Sequence, residues 1–175
     1  MTPAIARGRA GSPKVTIGGL HHNAYRCRDS EETRRFYEDF LGLPLADAFE
    51  IGETKSGRET RVLHSFYRLG DESYLAFFEV PGSPFDFKAQ HDYDLHIALE
   101  VAPEALQPML EQGRAAGIET RGIADHGFIR SIYLRDPNGY VIELTARSET
   151  AADYAVEAER NAHGNLARWQ QTKPR

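Results

Sequence analysis

The sequence has little of several features that define whole classes of protein. Its 175 residues include one cysteine, Cys27, so no disulfide can form within the chain and a reducing cytoplasm is the expected compartment. No apolar run approaches the roughly 20 residues that a membrane-spanning helix needs, and the first residues lack the apolar block of a secretory signal. Lys and Arg number 21 against 26 Asp and Glu. The net charge of -5 argues against nucleic acid as a partner, because phosphate binding needs clustered basic residues.

What the chain does contain fits one soluble domain with extensions at both ends. Apolar residues make up 41% and charged residues 27%, which are ordinary values for a globular protein. Residues 1–14 are rich in Gly, Pro and Arg and are predicted to form a flexible arm, followed by a domain over 15–147. Residues 148–175 are predicted to form a helical tail, which Gly164 is expected to end early. The tail carries an apolar stripe of Tyr154, Ala158, Ala162, Leu166 and Trp169.

The first half of the domain predicts one helix and four strands. The letters SEETRRFYEDFLG, at 30–42, place apolar side chains on one face and predict a helix that Gly42 and Pro44 end. Asp29 and Glu32 suit the start of this helix. The predicted strands are about Gly19–Arg28, Leu45–Ile51, Thr60–Leu69 and Ser73–Val80.

The second half repeats this order, which predicts an α+β fold made of two βαβββ modules, about 19–80 and 94–146. A strand at Asp94–Val101 precedes a helix that begins at Pro103, where proline is favoured. Pro108 is expected to delay the helix or kink it. The remaining strands are predicted at about Ile118–Ile123, Phe128–Arg135 and Tyr140–Ala146. The halves align at His22 with His96 and at Glu79 with Glu143.

Three strands carry a side chain that can bind a metal on the face away from the apolar core. Strand alternation puts His96 opposite Ile97, Glu143 opposite Ile142, and His22 with Ala24. A buried carboxylate is costly unless it is paired, and a divalent cation held by two imidazoles and a carboxylate would remove that cost. The residues alone leave other interpretations open. Strand histidines are often simply hydrogen-bonded, and Glu143 could face solvent on the wet side of an antiparallel sheet.

These residues resemble the vicinal oxygen chelate superfamily, which includes glyoxalases, bleomycin resistance proteins and extradiol dioxygenases. The matching segments are HHNAYRCRDSEETRRFYEDFLGLPL, LHIALEV and DPNGYVIEL. The resemblance implies two modules whose curved sheets enclose a metal cavity, with an extra C-terminal helix here. It also implies that His22, His96 and Glu143 bind the metal, whereas His21 is structural. Family members are often dimers, so a homodimer is expected.

The segment HGFIRSIYLRDPNGYVIE resembles the signature of the extradiol dioxygenases in particular. By that resemblance His126 and Tyr133 contact a catechol-type substrate, and Fe(II) is the favoured metal. Two departures stand against it. Ala124 occupies a place where the signature has other residues, and Ser73 lies near the place of the usual acid-base histidine, for which His64 or His91 could substitute.

Two other functions remain open at this point. The spacing of His22, Glu79, His96 and Glu143 resembles glyoxalase I. That resemblance implies an isomerase or lyase that uses Zn, Ni, Mn or Fe, with Glu79 as fourth ligand and base. The third hypothesis is a non-catalytic module that binds a small molecule in the cavity.

Overall fold

The computed structural model describes residues 16–53, 56–89 and 91–174, so the predicted arm at 1–14 lies outside the described residues. The first module begins with strand β1 (His22–Cys27) and helix α1 (Ser30–Arg34), which continues as a π-helical turn over Arg35–Phe40. Three strands follow: β2 (Leu45–Glu53), β3 (Glu59–Arg68) and β4 (Tyr74–Glu79). The Asp29 carboxylate caps α1 by accepting a hydrogen bond from the Glu32 backbone amide over 2.8 Å.

The second module has the same order of elements. Strand β5 (His96–Glu100) leads through a 3₁₀ turn (Pro103–Ala105) into helix α2 (Leu106–Ala115), and β6 (Thr120–Asp125), β7 (Ile129–Arg135) and β8 (Val141–Arg147) complete it. Pro108 is the third residue of α2. The predicted late start is therefore the correct alternative, because a proline in the first turn breaks no helical hydrogen bond.

Each module forms a four-stranded mixed sheet, and the two sheets have matching orders. The first is β1-β4-β3-β2 and the second is β5-β8-β7-β6, with a parallel pair formed by the first and last strand of each module. This arrangement confirms the predicted α+β fold with a duplicated module. In the described part of the chain, no helix is long and apolar enough to cross a membrane.

The modules share one apolar core and a buried polar junction. Tyr37, from the π-helical turn, and Ile142, from β8, are both fully buried in that core. At the junction the Tyr37 hydroxyl donates to Asp136 Oδ2 over 3.0 Å, and Asn138 Oδ1 accepts from the Arg28 amide over 2.8 Å. The turn before β8 therefore holds the start of the first module in place.

The tail forms helix α3 (Ala151–Thr172), which runs through Gly164 without a break. The expectation of an early end at Gly164 was wrong. A glycine in a helix costs only about 1 kcal/mol relative to alanine, which the neighbouring Ala and Leu residues offset.

Candidate functional site

His96 and Glu143 lie side by side on the parallel pair β5 and β8. Glu143 on β8 pairs in register with Ala98 on β5. Ala98 lies two residues after His96, so His96 and Glu143 are on the same face of the sheet, and the small Ala98 side chain leaves room beside the carboxylate. The His96 Nε2 atom lies 3.2 Å from Glu143 Oε2. The Glu143 side chain is 8% exposed and that of His96 is 42% exposed, so the pair reaches from the sheet toward solvent.

The hydrogen bonding of His96 determines what can lie between these two atoms. Its Nδ1 atom lies 2.8 Å from the backbone carbonyl oxygen of Asp92. A carbonyl oxygen only accepts, so Nδ1 carries a proton, and the lone pair of the neutral ring is then on Nε2. Two acceptors face each other across 3.2 Å, and a cation between them, either a proton or a metal ion, makes that contact favourable.

Tyr133 and His126 extend this pair along β7 and its preceding loop. The Tyr133 hydroxyl donates to Glu143 Oε1 over 3.3 Å, and His126 Nε2 lies 3.1 Å from the same hydroxyl oxygen. Burial raises the pKa of Tyr133, and the nearby Glu143 carboxylate raises it further. The phenol therefore stays protonated at neutral pH. Four residues that the sequence singled out form one continuous cluster in the second module: His96, Glu143, Tyr133 and His126.

Sequence reasoning missed two residues that support this cluster. Asp92 accepts from His96 through its backbone carbonyl, and its carboxylate pairs with Arg121. The Arg121 guanidinium lies over the Tyr133 ring, 5.0 Å from its centroid. The first contact is made by a backbone carbonyl, which every residue type has, so the sequence cannot indicate it. Arg121 has the charge and position of an ordinary exposed strand residue, so the sequence gives no reason to select it.

His22 lies in the first module among aromatic rings. Its Nδ1 atom is 2.7 Å from Nδ1 of His21, and its ring centroid is 5.5 Å from that of Phe66. His64 is 6% exposed and stacks on Phe78 with centroids 3.7 Å apart. Its Nδ1 lies 3.0 Å from the Phe77 carbonyl oxygen, so Nδ1 carries the proton and the Nε2 lone pair of the neutral ring is free.

The three predicted metal ligands do not meet within one chain. Among the described residues, no group of three or more His, Cys, Asp or Glu side chains is placed to hold a metal ion. The structure brings His96 and Glu143 together and leaves His22 in the other module. A cavity of about 610 Å³ between the modules is lined by apolar residues such as Leu43, Leu99 and Met109, not by the predicted site residues.

Glu79 lies outside the cluster, and the strand register explains why. It pairs with Cys27 at the far end of β1 from His22, and its Oε2 accepts from the Ser30 amide at the start of α1 over 2.8 Å. In the second module, Glu143 pairs with the residue two places after His96. In the first module, the residue of β4 that pairs two places after His22 is Ala76. The sequence alignment of Glu79 with Glu143 therefore fails in the structure, where Ala76 holds the equivalent position.

His91 and Ser73, which the sequence also singled out, make no contact with the His96–Glu143 pair among the described contacts. His91 is exposed, and its ring packs beside Tyr93 with centroids 4.6 Å apart. Ser73 is buried, and its hydroxyl donates to Asp71 Oδ1 over 2.6 Å. Of the two candidate substitutes for an acid-base histidine, only His64 combines burial with a free ring nitrogen.

Comparison with known proteins identifies the class to which this fold and site belong. The model of the Glyoxalase/Bleomycin resistance protein/Dioxygenase superfamily matches residues 19–144, and the chain belongs to that superfamily. The chain is also 25% identical over 146 residues to a probable lactoylglutathione lyase of Vibrio parahaemolyticus serotype O3:K6 (strain RIMD 2210633). That alignment covers 79% of this chain and 97% of the relative.

Solved structures show the same fold. The fosfomycin resistance protein FosX of Listeria monocytogenes, in complex with Mn(II) and sulfate, superposes with a TM-score of 0.58 at 19% identity, covering 78% of this chain and 98% of that one. A glyoxalase/dioxygenase of Nostoc punctiforme gives a TM-score of 0.57 at 22% identity, covering 79% and 100%. At these identities the likeness extends to the fold alone.

Proposed function

We propose that the protein is a metal-dependent enzyme that acts on a small aromatic molecule with two vicinal oxygens, in the manner of extradiol dioxygenases. The observation that carries the proposal is the contact between His96 and Glu143. The Nε2 lone pair of the neutral His96 ring faces Glu143 Oε2 at 3.2 Å, a separation that a metal ion held by both atoms would explain. Membership of the superfamily supports the same conclusion.

The donor set fits a divalent transition metal. Imidazole nitrogen and carboxylate oxygen together suit Fe(II), Mn(II), Zn(II) or Ni(II), and Fe(II) is the ion favoured for oxygen chemistry at two histidines and a carboxylate. When bound, such an ion polarises the substrate oxygens as a Lewis acid. The hydrogen bond from His96 to the Asp92 carbonyl fixes the ring orientation and the tautomer that ligation needs.

Tyr133 and His126 orient the substrate beside the carboxylate. The single O–H of Tyr133 donates its hydrogen bond to Glu143 Oε1, so His126 Nε2–H donates to the phenolic oxygen. Together the two rings present hydrogen-bonding groups next to the proposed ligands, at the places that the extradiol resemblance gives to substrate contacts. Arg121, lying over the Tyr133 ring, holds it in this position.

The aromatic face of the first module favours a flat, apolar substrate. Phe49, which is 43% exposed, and Phe66 have nearly parallel rings with centroids 6.0 Å apart. His22 packs edge-on to Phe66 and lies 6.4 Å from His64. A substrate ring that stacks on this face would meet the Nε2 lone pair of His64, which can accept a proton from a hydroxyl group.

We infer that His22 joins the His96–Glu143 pair from a second copy of the chain. His22 and His96 both start the parallel strand pair of their module, and His22 is exposed. The described residues offer no third ligand within one chain. A symmetric dimer would supply each pair with the partner's His22 and create two equivalent sites.

Mixing two variants tests this sharing. His22→Ala and Glu143→Gln each break every site in their own homodimers. If the site is shared, statistical mixing restores about a quarter of the wild-type metal sites, because each mixed dimer keeps one intact site. If the ligands come from one chain, mixing restores none, and the sharing of His22 is contradicted.

Oxygen uptake tests the reaction. The protein loaded with Fe(II), with the iron content measured, is expected to consume dioxygen when catechol is added, and Tyr133→Phe is expected to lower the rate about 100-fold. Full iron loading without oxygen uptake for a series of substituted catechols would contradict the dioxygenase proposal while leaving the metal site intact.

A glyoxalase-type isomerase is the second candidate, favoured by the similarity to the probable lactoylglutathione lyase. Its predicted base, Glu79, accepts a hydrogen bond from the start of α1 on the other face of the sheet. Conversion of the glutathione hemithioacetal of methylglyoxal, measured with Ni(II)- and Zn(II)-loaded protein, distinguishes the two candidates.

A further inference from the structure

Helix α3 exposes large apolar side chains that its own chain leaves about half uncovered or more. It is described over its full 22 residues, and none of them is buried. Tyr154, Leu166 and Trp169 are 48%, 57% and 58% exposed. A helix of this kind draws most of its stability from a packed apolar face, so α3 needs a partner.

The start of α3 is fixed to the second module. The Ser148 and Thr150 hydroxyls both donate to the Gly127 carbonyl oxygen, over 2.8 and 3.1 Å. The Tyr154 ring stacks on Phe128 with centroids 4.0 Å apart and planes 2° from parallel. From about Ala155 onward, the apolar stripe of the helix is not buried by the rest of the chain.

The stripe is arranged symmetrically about the middle of the helix. Ala162 lies next to the midpoint of Ala151–Thr172. Tyr154 and Trp169 lie nearly equal distances on either side of that midpoint, and the stripe between them is mostly alanine, which allows two backbones to approach closely. In an antiparallel pair of such helices, Tyr154 of each copy meets Trp169 of the other.

The charges of the tail follow the same symmetry. Its first half is mostly acidic and its second half is basic, so an antiparallel pair sets a net negative half against a positive half. A parallel pair would set like charges together. The first half carries Glu149, Asp153, Glu157 and Glu159 beside one basic residue, Arg160, and the second half carries Arg168 and Lys173 and no Asp or Glu.

We propose that α3 is an interaction surface for a second copy of this chain, formed by antiparallel pairing of the two α3 helices about Ala162. The stripe that is exposed in one chain becomes the buried seam of the pair. The proposal does not depend on the proposed function, because it uses no residue of the cation site.

Trp169 is the only tryptophan, so its fluorescence reports directly on this surface. On dilution, we expect the emission maximum to shift to longer wavelength over the concentration range in which light scattering shows the mass falling from dimer to monomer. Leu166→Ala is expected to raise the dimer dissociation constant about tenfold. Val156→Ala is the matched control, since Val156 is 61% exposed on another face of α3 and should leave the constant unchanged.

Single cysteines test the orientation. Ala162→Cys should form a disulfide between chains on mild oxidation, because the two positions meet at the symmetry axis. Ala155→Cys, seven residues before Ala162 on the same face of α3, should not, because antiparallel pairing separates its two copies. The native Cys27 is 1% exposed and does not compete.

Three results would overturn the proposal. The chain could be monomeric at every concentration, or its dimer could be equally stable in Leu166→Ala and the wild type. Rapid crosslinking through Ala155→Cys but not Ala162→Cys would exclude antiparallel pairing about Ala162. A chain that is monomeric at every concentration would also rule out the sharing of His22 between copies, whereas the other two results bear on α3 alone and leave the cation site untested.

Discussion

At the scale of single residues, the candidate site depends on which nitrogen of His96 carries a proton. The Asp92 carbonyl fixes a proton on Nδ1, so in the neutral ring the lone pair lies on Nε2, the atom that faces Glu143. Sequence pattern could place His96 and Glu143 on one face of the sheet. It could not predict the tautomer, because that is set by a backbone oxygen whose position depends on the loop before β5.

Cys27 gives a prediction at this scale. It is 1% exposed, and burial raises the pKa of its thiol to about 11, so almost no thiolate exists near neutral pH. We expect a thiol reagent such as DTNB to leave the folded protein unmodified at pH 8 and to label one thiol per chain in denaturant. Rapid labelling of the folded protein would show that Cys27 is accessible.

At the scale of the elements, register decides which residues of β4 can reach the site. The sequence predicted every strand to within a few residues, because apolar and polar side chains alternate clearly. It aligned Glu79 with Glu143 because both residues are near the end of a strand with a similar sequence, and similarity does not reveal the register between strands. In the structure Tyr74 pairs with His22, which places Glu79 opposite Cys27. A shift of an odd number of residues moves a side chain to the opposite face.

Glu79→Gln tests this placement. Glutamine keeps an oxygen that can accept from the Ser30 amide but loses the negative charge at the start of α1. We expect the free energy of unfolding, measured in urea, to fall by about 0.3–1 kcal/mol. Metal affinity measured on the same sample should be unchanged, whereas a large loss would return Glu79 to the metal site.

At the scale of the whole molecule, a buried polar junction joins the two modules. Asp136 is 2% exposed and accepts from Tyr37, Asn138 and Tyr140. The sequence identified the DPNG segment as a turn and as part of a signature. Its role in joining the modules could not be predicted, because Tyr37 and Asp136 are 99 residues apart and their contact follows from tertiary packing.

The pKa of Asp136 gives a prediction about this junction. Burial raises it above 3.8, and the hydrogen bond from Tyr37 counteracts part of that rise. The folded state therefore binds this proton more tightly than the unfolded state does. The contribution of Asp136 to stability is full below pH 3.8 and declines as the pH rises through the folded pKa.

Replacing Tyr37 by phenylalanine should raise the pKa of Asp136 further, because one of the hydrogen bonds that stabilise the carboxylate is lost. Titration of the carboxyl carbon by NMR in the wild type and Tyr37→Phe measures both values. A Tyr37→Phe value equal to or below that of the wild type would contradict the described junction.

The central claim is that His96 and Glu143 hold a divalent cation, and calorimetric titration with Mn(II) of the metal-free protein tests it most directly. Wild type and the control Glu79→Gln are predicted to bind one ion per chain with equal affinity, whereas His96→Ala and Glu143→Gln should each lose about 100-fold or more in affinity. Wild-type affinity in a folded Glu143→Gln protein would contradict the claim.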